Sequence, residues 1–169
     1  MSTLTIPDLV DNEQVSGKRL AEVLSQVLYS SVKPTLWVAT AYFNLDGFET
    51  LGEPLEQVQE LRLLLGTEQD QAFVLTHRLA QELERHFTLL RPQSQQKLER
   101  WTAFVRQDKV QVRRYKPQKH GQILHGKAYL VRGVSMLGQL GIVGSSNFTG
   151  AGLTTNLELN AILKQESAT

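Results

Sequence analysis

Residues 17–31, GKRLAEVLSQVLYSS, place apolar side chains at Leu20, Val23, Leu24, Val27 and Leu28. That spacing predicts one face of a helix. Pro34 breaks the pattern, and TLWVATAY (35–42) runs nearly continuously apolar, as in a strand covered on both sides. Gly47 to Val58 reads as a helix, and ELRLLLG (60–66) as a second buried strand closed by Gly66. Residues 71–90 again repeat apolar residues at helical spacing, and after Pro92 another helix runs to about Phe104. KVQVRRY (109–115) alternates Val110 and Val112 with polar residues, a half-exposed strand, and KPQKHGQ (116–122) reads as a loop. GKAYLVR, LGIVGSS and NLELNAIL predict three more strands, while residues 1–16 read as a loose or edge segment. The order α, β, α, β, α, α and then four strand-like segments predicts an α/β domain, a mixed β-sheet flanked by helices on both faces. Chemistry is expected in the loops where strands end.

At 169 residues the chain is expected to form one domain over 1–169, its core spanning about 18–163. A hydrophobic content of 41% and a charged content of 21% are ordinary for a globular protein. There is no cysteine, which excludes disulfides and thiolate metal sites and fits a reducing compartment. No apolar run approaches the ~18 residues of a membrane span. The start MSTLTIPDLVDNEQ has neither a basic n-region nor an apolar core, so it does not read as a signal peptide. A cytoplasmic location is expected.

The net charge of +1 conceals an asymmetry. Residues 1–105 carry 9 Lys and Arg against 14 Asp and Glu. Residues 106–132 carry 8 (Arg106, Lys109, Arg113, Arg114, Lys116, Lys119, Lys127 and Arg132) against Asp108 alone. Such a concentration suits a phosphate-binding surface. On composition alone, a solvated edge that discourages strand aggregation fits as well.

That basic stretch leads into ILHGKAYLVRG (123–133), where His125 and Lys127 flank Gly126 at the mouth of an apolar strand. His-x-Lys alone is a weak signal. Downstream, GIVGSSNFTGAG (141–152) follows an apolar run with small-residue backbone, the hydroxyl of Ser145 and the carboxamide of Asn147. Hydroxyl, amide and ammonium are the donors that non-bridging phosphoryl oxygens take. Glu158 follows 13 residues after Ser145, and a carboxylate near an imidazole can fix its tautomer. In NLELN the same residue could simply be the polar position of an alternating strand. The glycine stretch lacks the Lys-Ser/Thr of a P-loop and the spacing of a dinucleotide fold. No His-Glu-x-x-His or metal-ligand spacing is present, so no cofactor and no metal are expected. His77 and His86 fall in a helical stretch and receive no role; His120 lies in the basic loop.

His125-x-Lys127, Gly144-Ser145-x-Asn147 and Glu158 together resemble the His-Lys-Asp signature of the phospholipase D superfamily. LWVATAYFNLDGFETL, LRLLLGTE, LHGKAYL and GIVGSSNFTGAGLTTNLELN resemble more narrowly the phospholipase-D-like domain at the N-terminus of bacterial Snf-type helicases, over roughly residues 18–163. The resemblance implies a phospholipase D/nuclease-like fold. It also opens the reading that this chain is the N-terminal part of a longer helicase-type protein. It implies a metal-independent phosphodiesterase or nuclease working through a phosphohistidine, with His125, Lys127, Ser145, Asn147 and Glu158 at its catalytic site. It implies a homodimer that joins two single His-Lys motifs in one shared site. The basic run of Arg106, Lys109, Arg113, Arg114, Lys116, Lys119 and His120 would then hold a nucleic-acid backbone, DNA rather than RNA. One departure is plain: the family's Asp, five residues after the Lys, is Arg132 here. A catalytically inactive module that grips phosphates and dimerises stays open beside the enzyme. A membrane partner is not indicated, since no amphipathic basic helix is present.

Overall fold

The computed structural model describes residues 5–13, 17–66, 92–119 and 122–165. Among them the chain order is β1 (Leu9–Val10), α1 (Leu20–Ser30), β2 (Thr35–Thr40), α2 (Leu45–Leu51), α3 (Glu53–Glu56), β3 (Glu60–Leu65), α4 (Pro92–Val105), β4 (Val110–Arg114), β5 (Lys127–Val134), β6 (Gly138–Gly144), α5 (Gly150–Thr154) and β7 (Asn160–Lys164). The seven strands form one mixed sheet in the order β1-β7-β6-β5-β2-β3-β4. β2, β3 and β4 run parallel, and β5, β6, β7 and β1 are joined antiparallel. The protein is an α/β domain, as its periodicity predicted.

This topology sets up the site. The C-terminal ends of β2, β3, β4 and β6 meet the N-terminal ends of β5 and β7 along one edge of the sheet. On β2 the burial alternates residue by residue, with Leu36, Val38 and Thr40 on the covered face. That face is shared by Leu61, Leu63, Tyr129, Val131, Leu140 and Ile142. α1 packs against it through Leu20, Ala21, Val23, Leu24, Val27 and Leu28. Each buried leucine or valine contributes about 1.5–3 kcal/mol, so packing rather than capping holds α1. Its N-cap, Arg19, makes no side-chain cap. The buried Asn12 substitutes: its Oδ1 accepts from the Leu20 N–H at 2.8 Å while its Nδ2 donates to the Gly152 carbonyl at 2.8 Å.

The helix expected over 47–58 is two short ones. They break at Gly52, whose φ of +52° is a left-handed value that favours glycine. α2 and α4 meet the sheet through an aromatic cluster of Phe43, Phe48, Trp101, Phe104 and Phe148. Phe43 and Phe148 stack with centroids 5.6 Å apart. The described helices lie on this one face. The helix expected over 71–90 lies outside the described residues. On the second face the side chains of Trp37, Ala39, Leu64, Ala128 and Leu130 are partly exposed.

Candidate active site

Four residues line up across the middle of the sheet edge. Lys127 is paired with Gly144, and Gly144 with Asn160. Ala39 is paired with Ala128, which sets Thr40 beside Lys127. The alternation of β5 sends Lys127, Tyr129 and Val131 toward the helices and Ala128, Leu130 and Arg132 to the other face.

Lys127 is only 6% exposed. Its Nζ donates to the His125 carbonyl at 2.7 Å and stands 3.4 Å from His125 Nε2. An ammonium can donate to that nitrogen only when its lone pair is free. The imidazole itself is exposed. Among the described residues no carboxylate forms an ion pair with Lys127. Buried charges are ordinarily paired, and leaving one without a counter-ion costs several kcal/mol. Gly126 between them faces open space, with nothing within 4 Å of a Cβ placed on it. The arrangement is a cation set into the sheet edge, with an imidazole above it and an open approach.

The loop after β6 supplies the rest. A Cβ on Gly144 would fall 2.2 Å from the Leu159 carbonyl oxygen and 2.5 Å from Asn160 Oδ1, so β6 and β7 can approach this closely only at glycine. The two serines that follow divide their work. Ser145 is exposed: its hydroxyl donates to Glu158 in a very short hydrogen bond and accepts from the Leu159 N–H at 3.0 Å. Ser146 is fully buried. Its N–H donates to Asn160 Oδ1 at 3.3 Å, its hydroxyl accepts from Asn160 Nδ2 at 2.9 Å, and its carbonyl accepts from the Tyr129 hydroxyl at 2.9 Å. Burial, reinforced by the charge of Glu158, holds the Tyr129 phenol far above its ordinary pKa.

Asn147 turns its Oδ1 inward, where it accepts from the Tyr42 N–H at 3.0 Å. Thr40 Oγ1 lies 3.3 Å from the same oxygen, donates to the Tyr42 carbonyl at 2.7 Å and accepts from the Phe148 N–H at 3.0 Å. The Nδ2 end of Asn147 is left as a donor. Asn44 fixes the loop from the far side, its Oδ1 accepting from both Gly47 and Gly150 N–H at 3.1 Å.

The structure therefore brings His125 and Lys127 together, and Ser145 with Glu158, on adjoining strands of one edge. It does not join Glu158 to His125. The carboxylate accepts from Ser145 and, at 3.4 Å, from Asn156 Nδ2. Sequence reasoning missed Thr40, Tyr129, Ser146 and Asn160, which support the site. Thr40 and Asn160 carried a usable signal, each being a polar residue next to an apolar run, WVA and AIL. Tyr129 and Ser146 carried none.

The basic run is split. Arg106 and Lys109 stand at the start of β4, the edge away from the site. Lys109 Nζ donates to the Glu56 carbonyl at 2.7 Å and lies 5.1 Å from the centre of the Phe104 ring. Its burial there lowers its pKa. Arg114 ends β4 at the site edge, partnered with Leu65. The connection from there to β5 starts and finishes on that edge and carries the exposed Lys116 and Lys119. His120 lies outside the described residues. Arg113 projects to the second face. Arg132, which stands where the signature has Asp, points to that face too, 4.3 Å from the centre of the Trp37 ring. Five residues of strand, about 16 Å, separate it from Lys127.

Among the described residues, no group of three His, Asp or Glu side chains could hold a metal ion, and no helix is long and apolar enough to cross a membrane.

An exposed imidazole and a buried ammonium at the mouth of β5 thus adjoin a Gly-Ser-x-Asn turn at the end of β6. The chain belongs to the family described as "Cardiolipin synthase, PLD-like domain", which it matches over residues 26–169. No curated protein matches it in sequence. Among solved structures it is similar to NucT from Helicobacter pylori (11% identity, TM-score 0.47), covering 82% of this chain and 73% of that one. It is similar to Nuc from Salmonella typhimurium, a phospholipase D family member (12% identity, TM-score 0.48), covering 94% and 81%. The yeast tyrosyl-DNA phosphodiesterase aligns at 10% identity and TM-score 0.48 over 79% of this chain, which spans 25% of that protein.

Proposed function

We propose that this domain is a metal-independent phosphodiesterase of the nuclease type, acting on nucleic acid, DNA rather than RNA. The observation that carries the reading is Lys127: a buried ammonium with no carboxylate partner among the described residues, 3.4 Å from the Nε2 of an exposed histidine. A phosphodiester oxygen is the counter-ion such a site lacks, and its phosphorus would then lie before the imidazole. His125 Nε2 attacks phosphorus, a P–N bond forms, and the P–O bond to the leaving nucleoside breaks. The leaving oxygen takes a proton from the His125 of a second protomer, which then activates the water that cleaves the phosphohistidine. Lys127 and the free end of Asn147 stabilise the charge on the equatorial oxygens, while the Ser145 hydroxyl donates its hydrogen bond to Glu158. Glu158 acts through Ser145, whose hydroxyl it holds. Arg114, Lys116 and Lys119 grip flanking phosphates without reading sequence.

A homodimer supplies the second histidine, and an adjoining helicase would supply unwound strand. The absence of cysteine fits action in a reducing compartment, the cytoplasm. The second reading, a phosphate-gripping module without turnover, is favoured by one observation: no described carboxylate contacts His125. Incubating single- and double-stranded DNA in EDTA with wild type and His125→Ala separates the two. Cleavage by wild type alone is expected. Salt-sensitive binding without cleavage would favour the module, and cleavage by both proteins would sink the mechanism.

A further inference from the structure

Beside the site, the N-terminal arm leaves the sheet through one strained residue. β1 pairs Leu9 with Ala161 and Val10 with Asn160 on β7. Continued regularly, that ladder would set Asn12 opposite Glu158. Instead Asn12 takes a φ of +60°, a left-handed value that asparagine visits more readily than other residues with a side chain. The Glu158 N–H goes to the Asp11 carbonyl at 3.2 Å. Strain of this kind persists only where the surroundings impose it, and it gathers at functional sites. The surroundings here are tight. Asn12 is only 4% exposed. Its N–H donates to the Lys18 carbonyl at 3.0 Å, and its side chain bridges the start of α1 and the carbonyl of Gly152 in α5.

The contacts made by residues 10–12 all end on the segment that carries the site. The Val10 carbonyl accepts from Asn160 Nδ2 at 3.3 Å, the same amide nitrogen that holds the Ser146 hydroxyl. The Asp11 carbonyl holds the backbone of Glu158, whose carboxylate takes the Ser145 hydroxyl. Asn12 holds Gly152, where a Cβ would fall 2.6 Å from the Asn147 carbonyl oxygen. That turn therefore lies directly against the backbone that presents Asn147. The outer end of the arm is tied elsewhere. Lys164 Nζ, at the far end of β7, donates to the Ile6 carbonyl at 2.8 Å and to Asp8 Oδ1 at 2.6 Å.

We infer that Asn12 is a positioning residue for the active site: its left-handed turn and its bridge to α5 hold Glu158 against Ser145 and Asn147 toward the phosphate. The inference rests on the reading of that site as a phosphodiesterase. Lys127, which grips the phosphate, is set by β5 and not by the arm. Loss of Asn12 therefore displaces a donor needed in the transition state while the ground-state grip remains, and a displacement of about 1 Å can cost about 100-fold in rate.

The test compares three variants on bis(p-nitrophenyl) phosphate in EDTA, each at a temperature where its denaturation curve shows it fully folded. Asn12→Ala removes the bridge and penalises the turn. Asn12→Gly removes the bridge but accepts the positive φ. Lys164→Met frees only the outer end of the arm. Asn12→Ala is expected to lower kcat at least about tenfold with KM within about twofold of wild type. Asn12→Gly is expected to recover part of that loss, and Lys164→Met to keep the wild-type kcat. A role in stability alone would move the denaturation midpoint and leave kcat of the folded protein as it was. Hydrogen exchange at the Glu158 and Leu159 amides reads the coupling without activity. Asn12→Ala is expected to speed it at least about tenfold while β2 and β3 exchange as in the wild type. Wild-type kcat in folded Asn12→Ala would overturn the inference, and so would an equal loss in Lys164→Met. Faster exchange at 158 and 159 with no hydrolysis by the wild type would uphold the coupling and remove the proposed activity. Unchanged exchange would overturn the coupling whatever the activity. If Asn12→Ala does not fold, Asn12→Gly carries both comparisons.

Discussion

Thr40→Val tests how the site is supported. Thr40 is fully buried, and valine has nearly its shape. The substitution removes a hydroxyl that donates to the Tyr42 carbonyl at 2.7 Å and accepts from the Phe148 N–H at 3.0 Å. The Phe148 N–H is buried and would lose this partner, while the Tyr42 carbonyl sits in a part-buried contact. A buried group left unsatisfied costs about 1–3 kcal/mol, so the expected loss is about 1–3 kcal/mol. Thr40→Ser keeps the hydroxyl and removes one methyl, a loss of about 1 kcal/mol. Urea denaturation of the two variants, compared at unchanged m so that the midpoint reports stability, measures the difference. Activity should follow the same order, because Thr40 ties the end of β2 to the loop that presents Asn147. If the valine variant were as stable as the serine variant, the hydroxyl would not hold this loop and the support assigned to it would be wrong.

Gly144→Ala places a methyl 2.2 Å from the Leu159 carbonyl oxygen and should cost at least about 1–3 kcal/mol in denaturant. Gly126→Ala, in open space, should change stability by less than about 0.5 kcal/mol. Tyr129 titrates with a definite sign. Its folded pKa is raised above the ordinary phenol value by burial and then by Glu158. The stability it contributes is therefore present below about pH 10 and lost as the pH rises beyond it, because only the unfolded chain ionises there. Tyr129→Phe should lose about 1–2 kcal/mol at neutral pH with the Ser146 hydrogen bond, and should show a shallower alkaline decline in denaturant midpoints. Replacing Lys116 and Lys119 together by Ala should lower the slope of log K against log salt by about 1.4 for single-stranded DNA, about 0.7 per phosphate contact. Lys109→Met should leave that slope unchanged and lower stability, since Lys109 holds the Glu56 carbonyl.

Much of the fold was legible because burial on this sheet is periodic. The apolar runs of β2 and β3, the alternation of β4 and the apolar stripe of α1 are patterns that burial imposes, although β2 and β3 prove to be buried on one face rather than on both. Less was legible where a single backbone angle or a long-range contact decides. Gly52 splits the helix expected over 47–58 through a positive φ. α5, over Gly150–Thr154, was not anticipated because a five-residue helix capped by Thr149 leaves no period to read. In NLELNAIL the strand begins only at Asn160, since the preceding residues turn to bring Glu158 onto Ser145. Within the site, His125, Lys127, Ser145, Asn147 and Glu158 could be named from chemistry and spacing. Which atom each presents could not, because that depends on partners more than 100 residues away, as Thr40 and Tyr42 are from Asn147.

The position of Arg132 shows the same limit. Read along the chain, an arginine in place of the signature Asp bears on activity. In the fold it lies on the opposite face, beside Trp37 and about 16 Å of strand from Lys127, so the exchange alters the second face and leaves the histidine and lysine untouched.

The central claim is that His125, beside the buried Lys127, takes the phosphoryl group covalently. The most direct measurement is to quench a reaction in EDTA with DNA carrying labelled phosphate, digest the protein, and locate the label by mass spectrometry. The account predicts a phosphorylated His125 in the wild type and none in His125→Ala. Turnover by the wild type with no phosphate found on His125 would contradict it.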